Sequence, residues 1–529
     1  MSPTHVPFKP DRRDNALALF FLICLVSALV RARSLFEPAL WFDESFSIFY
    51  VQKSLGDIWG HDWHLEPTPP LYYSLLHLWT SAFGFAEPTL RALSLLASSL
   101  AAGVIFLAGR EAAGLRAGLG AGLLWSVLPL AIDYGLEIRA YALEFLVIAL
   151  LLWSFIRLIH AIDGSKNIRH ALIPFTIFGI VASYTHITAI LAFASFALVV
   201  ISTALIRRRD CLRAIISAGA VYTLALLPQI LASYAVMTQN KPTLAWLVRP
   251  GLMDALAVAR ALLVGNMAWG DPDARIILAL WCLSGIAALV LLRHRPLVIV
   301  MTLGVALLGF LLFFAASFVQ PILLNRTLLW VMIPAIVFIA AGLAQWTRAP
   351  SLIAFCLLIG ASGWAAQQSL VQRSIQRGDD RGIAEVSGDT DKETLIVTVD
   401  GEMACQFVYF HPQTGPRLRL MDLAGAQEFQ RTQSVDLSCN HPTRITLADL
   451  QSSIDEGKAI WIVGRTPYYE NGARMYRDTH AISESLRGKA DVSRRIENYS
   501  FFGLRLNGLN HQTANAGVPS PSGPAFRDQ

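Results

Sequence analysis

Charge is what this sequence lacks. Only 15% of its 529 residues are Asp, Glu, Lys or Arg, whereas 54% are hydrophobic. Soluble domains carry about 25% charged residues, so most of this chain has lipid for its solvent. Cysteine is sparse too, and the six are scattered, which excludes a disulfide scaffold. Cys24, Cys282 and Cys356 fall inside apolar runs and read as small core residues. A concentrated basic patch is also missing. The net charge of +5 is spread between apolar runs, which excludes nucleic acid as a partner. No internal repeat stands out.

What the chain has is apolar runs. After a polar stretch over 1–14, Ala16–Val30 is a first span ended by Arg31 and Arg33. No small-x-small cleavage site follows it and many spans do, so it reads as retained rather than as a signal peptide. Further runs of roughly 20 residues, the thickness of a bilayer core, lie near 89–109, 117–133, 140–158, 171–186, 187–206, 214–236, 275–292, 297–318, 327–345 and 350–369. The expectation is an all-α polytopic membrane protein with about eleven transmembrane helices over 15–370.

Basic residues set its orientation. With the N-terminus inside, the cytoplasmic loops receive Arg110, Arg116, Arg157, Lys166, Arg169, Arg207, Arg208, Arg209, Arg213, Arg293, Arg295 and Arg348. The opposite face receives a first loop over 35–88, the turn Asp133–Arg139, a long loop near 237–274, and Leu323–Arg326. This count requires that Pro69–Phe83 does not span. It is about 15 residues long and rich in Tyr and Trp, which suits a juxtamembrane helix.

The composition turns polar after Leu370. Thr394–Val399, Ala459–Val463 and Ser500–Leu506 read as short strands, and Ile445–Ile454 and Thr479–Leu486 as helices. The expectation over 371–508 is a small α/β domain on the extracytoplasmic, periplasmic side, where Cys405 and Cys439 could pair. A Pro-, Ser- and Gly-rich tail over 509–529 reads as disordered.

The residues that could carry chemistry gather on one side. Asp43 and Glu44 directly follow Trp41–Phe42 at membrane level, where a partly desolvated carboxylate suits a general base. Asp43 could equally cap the helix that follows it. His64 and Glu66 alternate along a chain held extended by Pro67, and could hold a divalent metal or polar groups of a substrate. A solvated polar loop is the plainer reading. Glu137 and Arg139 lie in the turn between two spans; Arg139 suits a phosphate, or an ion pair with Glu137. Arg326 follows another apolar exit, and His186 stands at a helix end on the same side.

These stretches together resemble the membrane-embedded glycosyltransferases of the GT-C superfamily. They are most similar to the protein mannosyltransferase-like branch with the bacterial aminoarabinose and Rgt-type galacturonosyl transferases of lipopolysaccharide. W-F-D-E-S-F-S resembles the first-loop W-x-D-E segment of that branch, and E-P-T-P-P-L-Y-Y-S-L-L-H-L-W its H-P-P-L-Y-Y segment. D-Y-G-L-E-I-R-A-Y-A-L is similar to its Y-S-x-E-A-R-M-Y-A-L segment, and S-Y-T-H-I-T to its Y-T-H-Y segment. The likeness covers residues 15–210, with Arg326 echoing an R-Y-L segment. The chain departs from the pattern at the expanded Glu66–Pro70, at Ala140 and at Thr327.

The resemblance implies Asp43 as general base and Glu44 as the residue that places Asp43 or the acceptor. Glu66 matches a first-loop acid that some relatives use near substrate or metal. Tyr72, Glu137, Tyr141 and His186 fall in the matching segments as substrate contacts, and Arg139 and Arg326 would meet a donor phosphate. The implied partners are membrane lipids, a polyprenyl-phosphate sugar donor, and a lipid, glycan or protein acceptor. No cofactor follows from the residues beyond a divalent metal at His64 and Glu66. The implied reaction is inverting glycosyl transfer at the outer face of a bacterial inner membrane. A flippase for lipid-linked sugars is the alternative.

Overall fold

The computed structural model describes residues 15–33, 35, 42–60, 63, 68–238, 249–376, 380–389, 393–398, 403–404, 407, 412–421, 443–465, 481–482, 484–486, 489–497 and 501–508. They fall into two compact units, a helical one ending at Arg377 and one built mainly from residues beyond it.

The helical unit opens with α1 (Ala16–Ala32), an apolar helix with Arg31 in its last turn. The first loop then forms α2 (Phe42–Tyr50), α3 (Leu55–Trp59) and α4 (Leu71–Phe83). Pro70 opens α4, and Gly84 ends it at φ +84°. At 13 residues it reaches only about 20 Å, short of a bilayer core of about 30 Å. A helix too short to span therefore forms within the expected Pro69–Phe83.

The centre of the bundle is α5 (Glu87–Ala113), α6 (Leu115–Val127) and α8 (Tyr141–Asp163), with the short α7 (Pro129–Asp133) between the last two. Small residues let α5 and α6 approach closely. A Cβ on Gly118 would come within 2.6 Å of the Phe106 carbonyl oxygen. The expected span over 117–133 is interrupted: Pro129 has no N–H to continue α6 and instead starts α7.

Next come α9 (Arg169–Thr185), α10 (Ala189–Arg207), α11 (Leu212–Ala225) and α12 (Leu227–Thr238), the last two bent by 44°. The expected long loop near 237–274 is partly helical, with α13 (Leu252–Val264) opened by an Asp254 side chain that accepts from the Gly251 N–H at 2.7 Å. Then follow α14 (Pro272–Leu291), α15 (Pro296–Ile299) continued through a π turn into α16 (Val305–Ala316), α17 (Asn325–Leu328), α18 (Met332–Leu343) and α19 (Arg348–Gln376).

Each of the expected spans coincides with a helix or with helices that follow one another closely, 117–133 being broken at Pro129 and 214–236 bent. Among the described residues seven helices are long and apolar enough to cross a membrane, and the bent pair makes an eighth. Helices α1, α6 and α9 are shorter. The chain is a polytopic membrane protein.

The basic loops meet at one end of this unit. Arg116 Nη1 donates to the Trp346 carbonyl (3.0 Å), Arg208 Nη1 to that of Lys166 (2.6 Å), and Arg207 pairs with Asp163 (3.8 Å). The loops carrying Asp43, Arg139, His186 and Arg326 meet at the other.

The second unit is a six-stranded sheet, β1 (Leu395–Thr398), β2 (Leu418–Met421), β3 (Thr443–Ile445), β4 (Ile460–Arg465), β5 (Ala490–Glu497) and β6 (Phe501–Gly508), in the order β3-β2-β1-β4-β6-β5. The first four strands are parallel, while β5 and β6 are antiparallel. Both faces of β1 and β4 are buried. Ile396, Trp461 and Val463 join one core; Val397, Ile460 and Ile462 join the other. Helix α20 (Asp380–Ser387) sends Val386 into the first core, and α21 (Leu447–Asp455) sends Leu450 and Ile454 into the second. The α/β expectation holds. Cys405, Cys439 and the tail from His511 lie outside the described residues, as do Thr479, His480 and Ser483 of the expected helix over 479–486.

Candidate functional site

The site is built on an irregular turn. Between α7 and α8 the chain runs non-helically through Tyr134–Ala140, yet Leu136, Glu137 and Ile138 are fully buried. A buried irregular backbone must find partners for its polar groups. Here distant side chains supply them. Glu44 Oε1 in α2 accepts from the Ile138 N–H at 3.0 Å, and Ser94 Oγ in α5 donates to the Glu137 carbonyl at 2.5 Å. Just upstream, buried Arg31 donates to the carbonyls of Ser126 (3.2 Å) and Ala131 (3.1 Å), capping the broken end of α6.

Glu44 is fully buried as well. Its Oε2 lies 3.7 Å from Arg91 Nη2, and Arg91 Nε also donates to Glu87 Oε1 at 3.1 Å. A carboxylate at this depth is stable only when paired and hydrogen-bonded. Glu44 is a strut between α2, α5 and the turn.

The turn projects Arg139 towards α2 and α4. Its Nη1 donates to the Tyr73 hydroxyl at 2.8 Å and to Ser47 Oγ at 3.5 Å. Asp43, the residue before Glu44 on α2, turns the other way, and its Oδ2 lies 3.4 Å from Arg326 Nη1. Both side chains keep about a fifth of their surface exposed, so the pair faces an opening. Arg326 is carried on α17, whose first residue, Asn325, accepts from the Arg326 N–H (2.8 Å) and from the Tyr134 hydroxyl (3.3 Å).

Two rings close the group. Tyr141 packs between Tyr134 (5.5 Å between ring centres) and His186 (5.7 Å). Arg326, Arg139 and Asp43 all act on Tyr141 electrostatically. His186 stands in the connection between α9 and α10, with Nδ1 2.7 Å from the Thr188 hydroxyl. Burial first, then the charges of Arg139 and Arg326, push its imidazole down to about 3, so the ring is neutral at ordinary pH.

The structure thus brings together Asp43, Arg139, Tyr141, His186 and Arg326. Glu44 and Glu137 lie beneath them, closed off from solvent. Tyr72 is nearly fully buried beside Ser94, and burial raises its phenol above the usual range; its neighbour Tyr73 is the one that meets Arg139. His64 and Glu66 lie outside the described residues. Among the described residues no group of three or more His, Cys, Asp or Glu stands together as a metal site.

Sequence reasoning missed Ser47, Tyr73, Arg91, Tyr134, Glu144, Thr188 and Asn325. Arg91 had a signal, since Glu87 precedes it by one helical turn at the expected i, i+4 spacing. The rest look ordinary until the helices are placed.

The arrangement offers a carboxylate beside two guanidinium groups at one end of an apolar bundle. Such cations, fixed in advance, stabilise negative charge that develops on an anion.

No family model matches the sequence, and no curated protein matches it. Among solved structures the chain is similar to ArnT from Cupriavidus metallidurans in the apo state, with TM-score 0.56 and 13% identity over 93% of this chain and 98% of that one. It is similar to the same protein bound to undecaprenyl phosphate, with TM-score 0.56 and 14% identity over 95% and 99% of the two chains. The likeness covers nearly all of both chains, so this chain has the fold of those structures.

Proposed function

We propose that this chain is an inverting membrane glycosyltransferase that moves a sugar from a polyprenyl-phosphate donor to an acceptor hydroxyl. The observation that carries the reading is the placement of Asp43 3.4 Å from Arg326, in electrostatic company with Arg139 around Tyr141. The structurally similar ArnT from Cupriavidus metallidurans, seen bound to undecaprenyl phosphate, supports the donor class.

In the reaction Asp43 takes the proton of the acceptor hydroxyl, whose oxygen attacks the anomeric carbon. The bond from that carbon to the phosphate oxygen breaks on the opposite side, with inversion. The departing phosphate gains charge, and Arg139 and Arg326 receive it. Arg326 exchanges Asp43 for the phosphate when donor arrives, which frees the carboxylate for the acceptor. Glu44, through the Ile138 N–H, holds the turn that aims Arg139. The long isoprenoid tail stays in the bilayer, and this is why such an enzyme is built within it. We place the site, the loop over 35–88 and the α/β unit on the periplasmic side of a bacterial inner membrane, by the distribution of Lys and Arg.

The reading is tested by reconstituting the purified protein in vesicles with lipid-linked donors from a bacterial envelope extract. Mass spectrometry should find the sugar on an acceptor lipid, glycan or protein. Transbilayer movement of donor with no glycosylated product would instead identify a flippase.

A further inference from the structure

Glu144 lies one turn along α8 from Tyr141 and is 1% exposed. It is a carboxyl group within a helix long and apolar enough to cross a membrane. Ionisable groups at such positions are costly to keep and mark function by default. The mechanism above does not use it. Among the described residues no Lys or Arg lies within salt-bridge distance of it, and neither oxygen makes a well-formed hydrogen bond. Its polar neighbours are the Thr188 hydroxyl and the His186 ring, whose Nδ1 is 3.9 Å from Oε1.

Thr188 stands between the two, with its hydroxyl 2.7 Å from His186 Nδ1. A hydroxyl has one proton to give. If residue 144 is the acid, its O–H donates to Thr188 Oγ1, and the threonine proton goes to Nδ1. The imidazole then carries its own proton on Nε2. If residue 144 is a carboxylate, it takes the threonine proton, Nδ1–H points at Oγ1, and Nε2 is a bare lone pair. The Thr188 N–H also donates to Nδ1, over a long 3.4 Å, and favours the same Nε2–H ring; the form of Glu144 adds to or opposes that bias, and so bears on whether His186 offers a donor or an acceptor. A carboxylate here would stand desolvated without a cation, whereas the acid does not incur that cost. The groups facing the ring are Glu144 and Tyr141 from α8, Thr188 at the start of α10, Arg139 from the turn and Arg326 from α17. The two arginines exclude an imidazolium but not a neutral donor.

We propose that Glu144, as the neutral acid, acts through Thr188 to hold His186 in its Nε2–H tautomer, so that the ring donates a hydrogen bond to the phosphate received by Arg139 and Arg326. Glu144 is a positioning residue; the phosphate rests on the functional reading above, but the tautomer does not. Among the described residues Nε2 makes no hydrogen bond, so it is available for a ligand.

Two measurements separate these parts. Nitrogen-15 NMR of histidine-labelled protein, with the His186 signal assigned by its loss in His186→Gln, reads the tautomer without ligand. Wild type and Glu144→Gln, whose amide N–H also donates, should show Nε2–H from pH 6 to 8; Glu144→Leu, which fills the space, should show a mixture. An Nδ1–H ring in the wild type, or an unchanged ring in Glu144→Leu, would overturn the proposal. Binding of undecaprenyl phosphate in nanodiscs should then weaken roughly tenfold in Glu144→Leu. It should stay within about twofold of wild type in Glu144→Gln, and weaken no further in Glu144→Leu combined with His186→Ala. Glu144→Gln binding as poorly as Glu144→Leu would mean the carboxylate is the working form and would overturn the assignment. A wild type with the Nε2–H ring that does not bind undecaprenyl phosphate would remove the phosphate reading alone.

Discussion

The two ends of the helical unit use the same residues to opposite effect. At the basic end His160 and Glu111 stand 4.0 Å apart at 39% and 40% exposure, and Arg207 and Asp163 3.8 Å apart at 54% and 31%. At the other end Arg91 and Glu44 are 3.7 Å apart at 4% and 0%, and Arg326 and Asp43 3.4 Å apart at 19% and 21%. Separation hardly distinguishes them; water does. Exposed pairs are screened and contribute about 0–1 kcal/mol. Buried ones are strongly coupled to their surroundings, and removing one partner strands the other. One end is a solvated face that suits the cytoplasmic side of a membrane. The other is a set of fixed charges.

Breaking the deepest pair should have the largest effect. Arg91→Ala leaves Glu44 buried without its cation, and with it the support of the Ile138 N–H. Loss of about 3–5 kcal/mol is expected, read as a lowered unfolding midpoint in detergent; a midpoint within a degree of wild type would show that Glu44 is not held by Arg91. Arg326→Ala should cost transfer about a hundredfold or more while the protein still inserts and unfolds cooperatively. A wild-type rate would remove Arg326 from the site. Tyr73→Phe deletes only the hydroxyl that orients Arg139, and a loss of about 1 kcal/mol, near fivefold in transfer, should follow. A matching loss in Tyr72→Phe would blur the distinction between these neighbours. Glu111→Gln, at the other end, should change stability by no more than about 1 kcal/mol and leave transfer untouched. A strong effect there would erase the contrast between the ends.

Much of this was legible in the sequence, for physical reasons that also mark where legibility stopped. Apolar runs are long-range facts of composition, so the spans could be placed, as could β1 and β4, whose two buried faces leave continuous apolar runs. Strands β2 and β3 are only four and three residues long. In β5 a register shift between Val492 and Arg494 breaks the alternation that would have betrayed a strand.

At the site, Asp43, Arg139 and Arg326 stood out because charge beside an apolar run is conspicuous. The choice between Tyr72 and Tyr73 depends on which way α4 is rotated, and the sequence window is apolar on both sides. Glu44 looked like a twin of Asp43, but successive helical residues point about 100° apart, so one faces the opening and the other the interior. Glu144 was hidden inside an apolar span, where one acid among twenty residues does not alter the composition. Its role rests on Thr188, whose nearness only the folded chain reveals.

The central claim is that Asp43 does chemistry beside a phosphate that the two arginines hold. It is tested most directly by measuring donor binding and sugar transfer on the same preparation of Asp43→Asn. The account predicts that this variant binds undecaprenyl phosphate at least as tightly as wild type, since a negative charge has left the site, while transfer falls by about 10²- to 10⁴-fold. Transfer at the wild-type rate in Asp43→Asn would contradict it.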